Sequence, residues 1–191
     1  MNKRILIFTL LLVYGLSFSQ QKKQTYVKGN PLLALVGIGH LGVEHQLTNK
    51  QTLQADLLYS PWKTINRKHA ETLFLTIEGR HYFNQSFEKW YIGAHIGGGM
   101  FNLTKPNYWQ HTYENYQKGY NYMIGASVGY QFQWKERWNI DCFIGGGAVE
   151  SFYKGYEVKD GVTTKVDGAT NYNKSSEFLP YRLGLMISYK L

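Results

Sequence analysis

The sequence predicts an all-β chain, an eight-stranded antiparallel up-and-down transmembrane β-barrel with a filled polar lumen. Three observations carry that prediction. The run from Tyr122 to Trp134 alternates, with Tyr122, Ile124, Ala126, Val128, Tyr130, Phe132 and Trp134 on one side and Met123, Gly125, Ser127, Gly129, Gln131 and Gln133 on the other. A period of two marks a strand with one apolar and one polar face. Its length of about 40 Å, tilted near 45°, rises roughly 28 Å, close to the apolar band of an outer-membrane barrel, and an aromatic stands at each end. No later segment offers the roughly 18 apolar residues a spanning helix needs, as expected of strands whose lumenal side dilutes the hydropathy.

The chain of 191 residues is one domain's worth. Residues 1–19 read as a cleaved secretory signal: Lys3 and Arg4, an apolar core from Ile5 to Val13, and small residues at Ser17 and Ser19 before a cut ahead of Gln20. The barrel domain is then 20–191. Cys142 is the one cysteine, which excludes an intrachain disulfide framework, and no cysteine follows the cut to carry a lipid anchor. The formal charge of +8 falls to +6 when Lys3 and Arg4 leave. In a cytosolic protein that balance would suggest nucleic acid; export argues against it and makes anionic lipid head groups the expected partner.

In chain order, Gln20 to Lys28 is a polar, basic lead-in and Asn30 to Val36 a short strand. Gly39 to Leu47 is the second strand, with Leu41, Val43, His45 and Leu47 opposite Gly42, Glu44 and Gln46. After a turn at 48–50, Thr52 to Lys63 sets Leu53, Ala55, Leu57 and Tyr59 against Gln54, Asp56 and Ser60. Glu71 to Phe83 returns with Leu73, Leu75 and Ile77 against Thr76, Glu78, Arg80 and Tyr82. Trp90 to Thr104 crosses again, Tyr122 to Trp134 follows, and Trp138, Ile140, Cys142 and Ile144 start back against Asn139 and Asp141. The final strand, Phe178 to Leu191, sets Tyr181, Leu183, Leu185, Ile187 and Tyr189 against Arg182, Gly184, Met186, Ser188 and Lys190. It suits the signal read by the outer-membrane barrel assembly machinery, although Leu191 stands where such signals usually end in an aromatic.

Short turns at 48–50, 84–88 and 135–136 alternate with longer excursions at 64–70, 105–118 and 153–176, as in barrels that keep short turns periplasmic. Six strands follow Thr52, and periplasmic chain ends require an even total. Asn30–Leu47 therefore divides into two strands, folded at Gly37-Ile38-Gly39, which makes eight. Eight strands leave an interior that side chains fill, not a pore. A cation facing lipid costs roughly 2–4 kcal/mol at the midplane, so the polar row should be the inner one. It holds Glu44, Asp56, Glu78, Arg80, Asp141 and Arg182, with Arg80 and Arg182 expected to neutralise carboxylates.

Gly42-Val43-Glu44, Ser60-Pro61-Trp62, Glu78 to Phe83, Gly125 to Tyr130, Lys135 to Asp141 and Leu183 to Lys190 stand in order along nearly the whole mature chain. Together these pieces resemble a family of small outer-membrane barrels of Gram-negative bacteria known as domain of unknown function 3575. Asp141 stands where the family more often has Glu, which keeps the charge. The resemblance implies an eight-stranded outer-membrane barrel and no activity.

Gly37-Ile38-Gly39-His40-Leu41-Gly42 fits the dinucleotide fingerprint, but the fingerprint needs a helix after the glycines and Val43 to Leu47 alternates like a strand. No cofactor is expected. Gly97 to Gly99 and Gly145 to Gly147 read as bends or as room for Met123 and Tyr130. His40, His45, His69, His81, His95 and His111 have no spacing that converges on a metal, with His45 and His81 on the lipid side and His95 in the lumen. Tyr108, Trp109, Tyr113 and Tyr116, with Arg67 and Lys68, are the candidate outer-loop binding residues, since Tyr and Asn give rigid contact area with adaptable hydrogen bonding. The ordinary reading of those aromatics is an interfacial belt. Loop bases Lys63, Arg67, Lys68, Lys105, Lys118, Lys154, Lys159, Lys165 and Lys174 outnumber the acids Glu114, Glu157, Asp160 and Asp167, a positive rim suited to lipopolysaccharide phosphates. The function expected is non-enzymatic: a structural barrel, or one that binds surface lipid, glycan or a protein partner. The alternatives are an outer-membrane lipid-modifying enzyme with a cross-strand Ser/His pair and a soluble lipocalin-like carrier with the faces reversed.

Overall fold

The alternating runs form antiparallel strands in a computed structural model, which describes residues 23–65, 68–104, 115–159, 161–165 and 173–191. The predicted signal at 1–19 lies outside them. The strands are β1 (Thr25–Gly29), β2 (Gly39–Gln46), β3 (Gln51–Ile65), β4 (Lys68–Tyr82), β5 (Lys89–Leu103), β6 (Tyr116–Lys135), β7 (Trp138–Lys159), β8 (Val162–Lys165) and β9 (Asn173–Lys190), with one short helix, α1 (Pro31–Leu35). No helix among the described residues is long and apolar enough to cross a membrane, which says nothing about a crossing by strands.

The nine-stranded sheet runs β6-β5-β4-β3-β2-β1-β9-β7-β8, and β6 pairs with β7 as well. Eight strands therefore close a ring, β1 to β7 and then β9, while β8 extends the end of β7. Traced around the ring, the partners of Gly29 are Leu41, Leu57, Leu75, Gly98, Tyr122, Glu150 and Ser176. On its other side Gly29 faces Ile187, so the ladder closes eleven positions along β9 from Ser176, one of them a bulge residue. A staggered closure of this kind tilts the strands against the ring axis.

The two faces separate cleanly. Leu41, Leu57, Leu75, Ile96, Ile124, Ile144 and Leu183 point outward and are exposed. Glu44, Gln54, Glu78, Gln131 and Asp141 point inward and have no accessible surface. The apolar core is small: Tyr82, Tyr91, Phe143 and Met186. Phe87 joins it from the turn between β4 and β5. Its φ of 69° is a strained conformation for a bulky side chain, and the ring lies buried 4.4 Å from the Tyr26 ring.

The beginning of the chain corrects the predicted division of 30–47. Asn30 to Val36 is not a strand. Asn30 Oδ1 accepts from the amides of Leu32 and Leu33, Pro31 has no amide to satisfy, and α1 follows. Gly37, at φ 72°, lets Ile38 N donate to Leu33 O and Gly37 N to Ala34 O, which ends the helix. The missing strand is β1, which begins within the predicted lead-in and ends at Gly29, and in it Tyr26 and Lys28 turn inward beside Val27, which points out. The ring still contains eight strands. The predicted loops are also shorter. β3 and β4 run through 64–70 up to Ile65 and from Lys68, β6 begins at Tyr116, and β7, β8 and β9 occupy most of 153–176.

Glycine permits close strand contact on β7. A Cβ at Gly147 would lie 2.1 Å from Ile124 O and 2.4 Å from Gly125 Cα, both backbone, whereas one at Gly79 would meet nothing within 4 Å. Gly147→Ala should therefore destabilise the fold by about 2 kcal/mol as overpacking. Gly79→Ala should change it by less than about 0.5 kcal/mol. Denaturant unfolding of the two variants checks the contrast.

Candidate functional site

Strand parity places each charged side chain, because inward residues of neighbouring strands share one enclosed volume. All six predicted network residues lie there, and the ring brings them together in two linked groups. In the first, Arg80 Nη1 donates to Asp141 Oδ2 at 2.8 Å and to Glu44 Oε2 at 3.2 Å, and Arg80 Nε to Glu78 Oε2 at 2.9 Å. Lys28 Nζ donates to Asp141 Oδ2 at 2.7 Å and pairs with Glu44. Tyr91 donates to Asp141 Oδ1 at 2.8 Å and carries the Arg80 guanidinium over its ring at 4.4 Å. Thr52 donates to Glu44 Oε1 at 2.5 Å. Tyr82 Oη lies 2.8 Å from Glu44 Oε1 and 2.7 Å from the Gln131 side-chain amide. A phenol has one proton; given to the carboxylate, it leaves the amide to turn its NH2 toward the phenol oxygen.

The second group centres on Arg182. Its two terminal nitrogens fork onto Asp56 at 3.3 and 3.1 Å, and Nη2 also reaches Glu78 Oε2 at 3.1 Å. Planar guanidinium chemistry suits that bidentate grip. Asp56 is held further by Gln54 Nε2 at 2.9 Å and by His40 Nε2 at 3.1 Å. Glu78 joins the groups, since it contacts both arginines and accepts from the Ser127 hydroxyl. Gly93 leaves the room, because a Cβ there would lie 2.5 Å from Glu78 Oε1. Four carboxylates thus face Lys28, Arg80 and Arg182, with His40 against one of them.

Lys28, His40 and Tyr181 are among the interior residues that the predicted network lacks. Lys28 was hidden in the assumed lead-in, although Tyr26 and Lys28 continue the alternation of Glu44 and its neighbours. His40 follows from the parity of Leu41 and Val43. Tyr181 could not be read this way. Arg182 pairs with Gly145 and Leu179 with Gly147, so Pro180 and Tyr181 together oppose Gly146. Pro180 has no amide for the ladder, a bulge results, and Tyr181 turns inward where plain alternation puts it outside. Its Oη meets His95 Nε2 at 2.7 Å.

The inward histidines and the Ser127 hydroxyl have specific partners. Among the described residues, His40 is on Asp56, His95 on Tyr181, and the Ser127 hydroxyl on a carboxylate. The Thr25 hydroxyl meets His45 at 2.8 Å on the exposed outer side. No group of three His, Cys, Asp or Glu among the described residues is arranged to hold a metal. After Gly37 to Gly42 the chain continues as β2, so the glycines do not open a helix toward a phosphate. Of the candidate outer-loop residues, Arg67, Tyr108, Trp109 and Tyr113 lie outside the described residues. Lys68 opens β4, and Tyr116 stacks on Tyr156 at 5.0 Å with His69 4.1 Å away.

Removing one partner of this cluster strands the rest. Arg80→Met leaves three carboxylates short of a cation and should cost about 3–5 kcal/mol. In a double-mutant cycle with Glu44→Gln the two losses should couple by about 1 kcal/mol or more. Additive losses would show that the contact contributes nothing.

Neither a curated protein nor a solved structure matches the chain. A family model described as a protein of unknown function (DUF3575) matches residues 6–191. With the match covering the ring, its interior cluster and all nine strands, the chain belongs to that family of proteins of unknown function.

Proposed function

We propose that this chain is a non-enzymatic transmembrane β-barrel of the outer membrane of a Gram-negative bacterium. Its long-loop end contacts envelope lipid, glycan or a protein partner. One observation carries the reading: over its middle the eight-stranded ring encloses Glu44, Asp56, Glu78, Arg80, Asp141 and Arg182 and exposes Leu41, Leu57, Leu75, Ile96, Ile124, Ile144 and Leu183. That is the reverse of a soluble protein and fits a wall in contact with hydrocarbon. A closed ring also leaves no sheet edge unpaired over its common height, which hydrocarbon demands. The interior is filled by the charge cluster, which argues against a wide pore. A lipocalin-like carrier would need an apolar interior, so the same distribution disfavours it.

Sidedness follows from connection length. The turns after β2, β4 and β6, with Thr25 and Leu191, share one end of the ring, the expected periplasmic end. At the other end lie α1, the β3–β4 connection and the β7–β8 hairpin. Insertion would use the barrel assembly machinery, and segment 1–19 would direct export.

The full chain refolded into detergent or vesicles should migrate differently on a gel before and after boiling. Ile77→Arg, in the middle of β4 on the outer face, should cost about 2–4 kcal/mol, and Phe132→Arg, three residues from the end of β6, about 0–1 kcal/mol. A chain that folds without lipid or detergent and tolerates Ile77→Arg would refute the membrane assignment.

A further inference from the structure

We infer that the short-turn end of the ring carries a binding cup for a neutral, hydroxyl-rich saccharide. The inference rests on the membrane reading above for its compartment, since that reading turns this end toward the periplasm and the wall glycan there. A cavity of about 470 Å³ opens at this end, within the roughly 300–1,000 Å³ of small-molecule sites. The turn between β4 and β5 is held against the turn between β2 and β3, with Ser86 N donating to Asn49 O at 2.8 Å and Ser86 Oγ to Thr48 O at 2.9 Å. Phe87 and Tyr26, both buried, line the floor, and Phe87 lies 6.1 Å from Tyr82, which contacts Glu44. The cup therefore ends on aromatic rings before it reaches the charge cluster.

The lining selects the ligand. Half of the lining residues are Asn or Gln, whose amides each offer two donor hydrogens and an acceptor. Lys50 and Lys190 balance Glu88 and Glu136, so the cup selects no net charge. None of the lining side chains is aliphatic, and β1 pairs with β9 here to close the ring. A peptide would find neither an apolar pocket nor an open seam to extend. Gln46 Oε1 accepts from Gln24 N at 3.2 Å, and Gln133 Nε2 donates to the Glu136 carbonyl at 3.1 Å. Both side chains are thereby fixed, with the other end of each amide left for sugar hydroxyls. The backbone points to the same place. Phe87 at φ 69° and Lys89 at φ 62° are the non-glycine residues of positive φ among the described residues, and they flank Glu88. Phe87 is buried but Lys89 is exposed, so burial does not account for the second strain. The pair sets Glu88 at the cup, where Asn84 Nδ2 donates to its Oε2 at 2.9 Å and Oε1 is left to accept from a ligand hydroxyl.

The test is isothermal titration calorimetry of the full chain in a sugar-free detergent, with N,N′,N″-triacetylchitotriose and, in parallel, trialanine. Wild type should bind the trisaccharide and not the peptide. Gln46→Leu/Gln133→Leu should weaken binding about tenfold, because sugar hydroxyls lose those partners. Glu88→Gln should weaken it about threefold, as a charge-assisted hydrogen bond becomes a neutral one. Lys118→Gln, at the opposite end, should leave it unchanged. An unchanged affinity in Gln46→Leu/Gln133→Leu, or trialanine bound as tightly, overturns the site. Sedimentation with insoluble wall glycan separates the sources: capture assigns the polymer, and binding of the free trisaccharide alone assigns a soluble sugar. Heat-dependent gel migration is recorded for every variant. If wild type lacks it, the membrane reading fails; if it is present and the trisaccharide does not bind, the site alone fails.

Discussion

Four carboxylates enclosed by strands need cations in fixed places, and Arg80 touches three of them. The rest of the architecture follows from that demand. The partners come from β1, β2, β4 and β7, which are not neighbours in one hairpin. Lys28, Glu44, Arg80 and Asp141 meet only when the ring has closed, so closing the sheet and satisfying the charges are one event. A slip of one residue in any ladder would turn that strand's charge outward. The cluster therefore enforces the register as strongly as it depends on it.

Local irregularities serve the same interior. The bulge at Pro180 brings Tyr181 into the ring beside Arg182, which gives His95 a partner that alternation would have denied it. The turn between β4 and β5 folds back so that Phe87 packs on Tyr26, and Asn139 Nδ2 donates to Phe87 O at 3.3 Å. Burial of an aromatic ring offsets the left-handed backbone, whose cost is about 1–3 kcal/mol. At the other end α1 tops the short β1–β2 wall, and the Trp62 indole of β3 donates to Val36 O at 2.9 Å. Each device ties a connection to the wall without adding a strand.

The hydroxyls and imidazoles of the interior are tied into the cluster by specific contacts. The Ser127 hydroxyl is on Glu78 and the His40 imidazole on Asp56, while His95 meets the Tyr181 phenol. Interior and exterior thus differ in chemistry, the one charged and hydrogen-bonded, the other apolar over the middle of the strands.

From the sequence alone came the alternation, seven of the eight ring strands, and the inward position of Glu44, Asp56, Glu78, Arg80, Asp141 and Arg182. A period of two is a local property and assigns faces without knowledge of neighbours. Strand ends were less legible: the hairpins beyond Trp62 and Tyr153 are polar on both sides, and polar strands look like loops. The start of the chain was misread because Asn30-Pro31 caps a helix whose apolar residues resemble a strand, and five residues at Thr25–Gly29 are too few to show a period. Only the tertiary structure could decide which base meets which acid. Those pairs are 113 residues apart for Lys28 and Asp141 and 126 for Arg182 and Asp56, and their contact depends on cross-strand register, which alternation leaves free. The inward turn of Tyr181 was equally hidden, since a bulge is a property of two strands together and neither carries it alone.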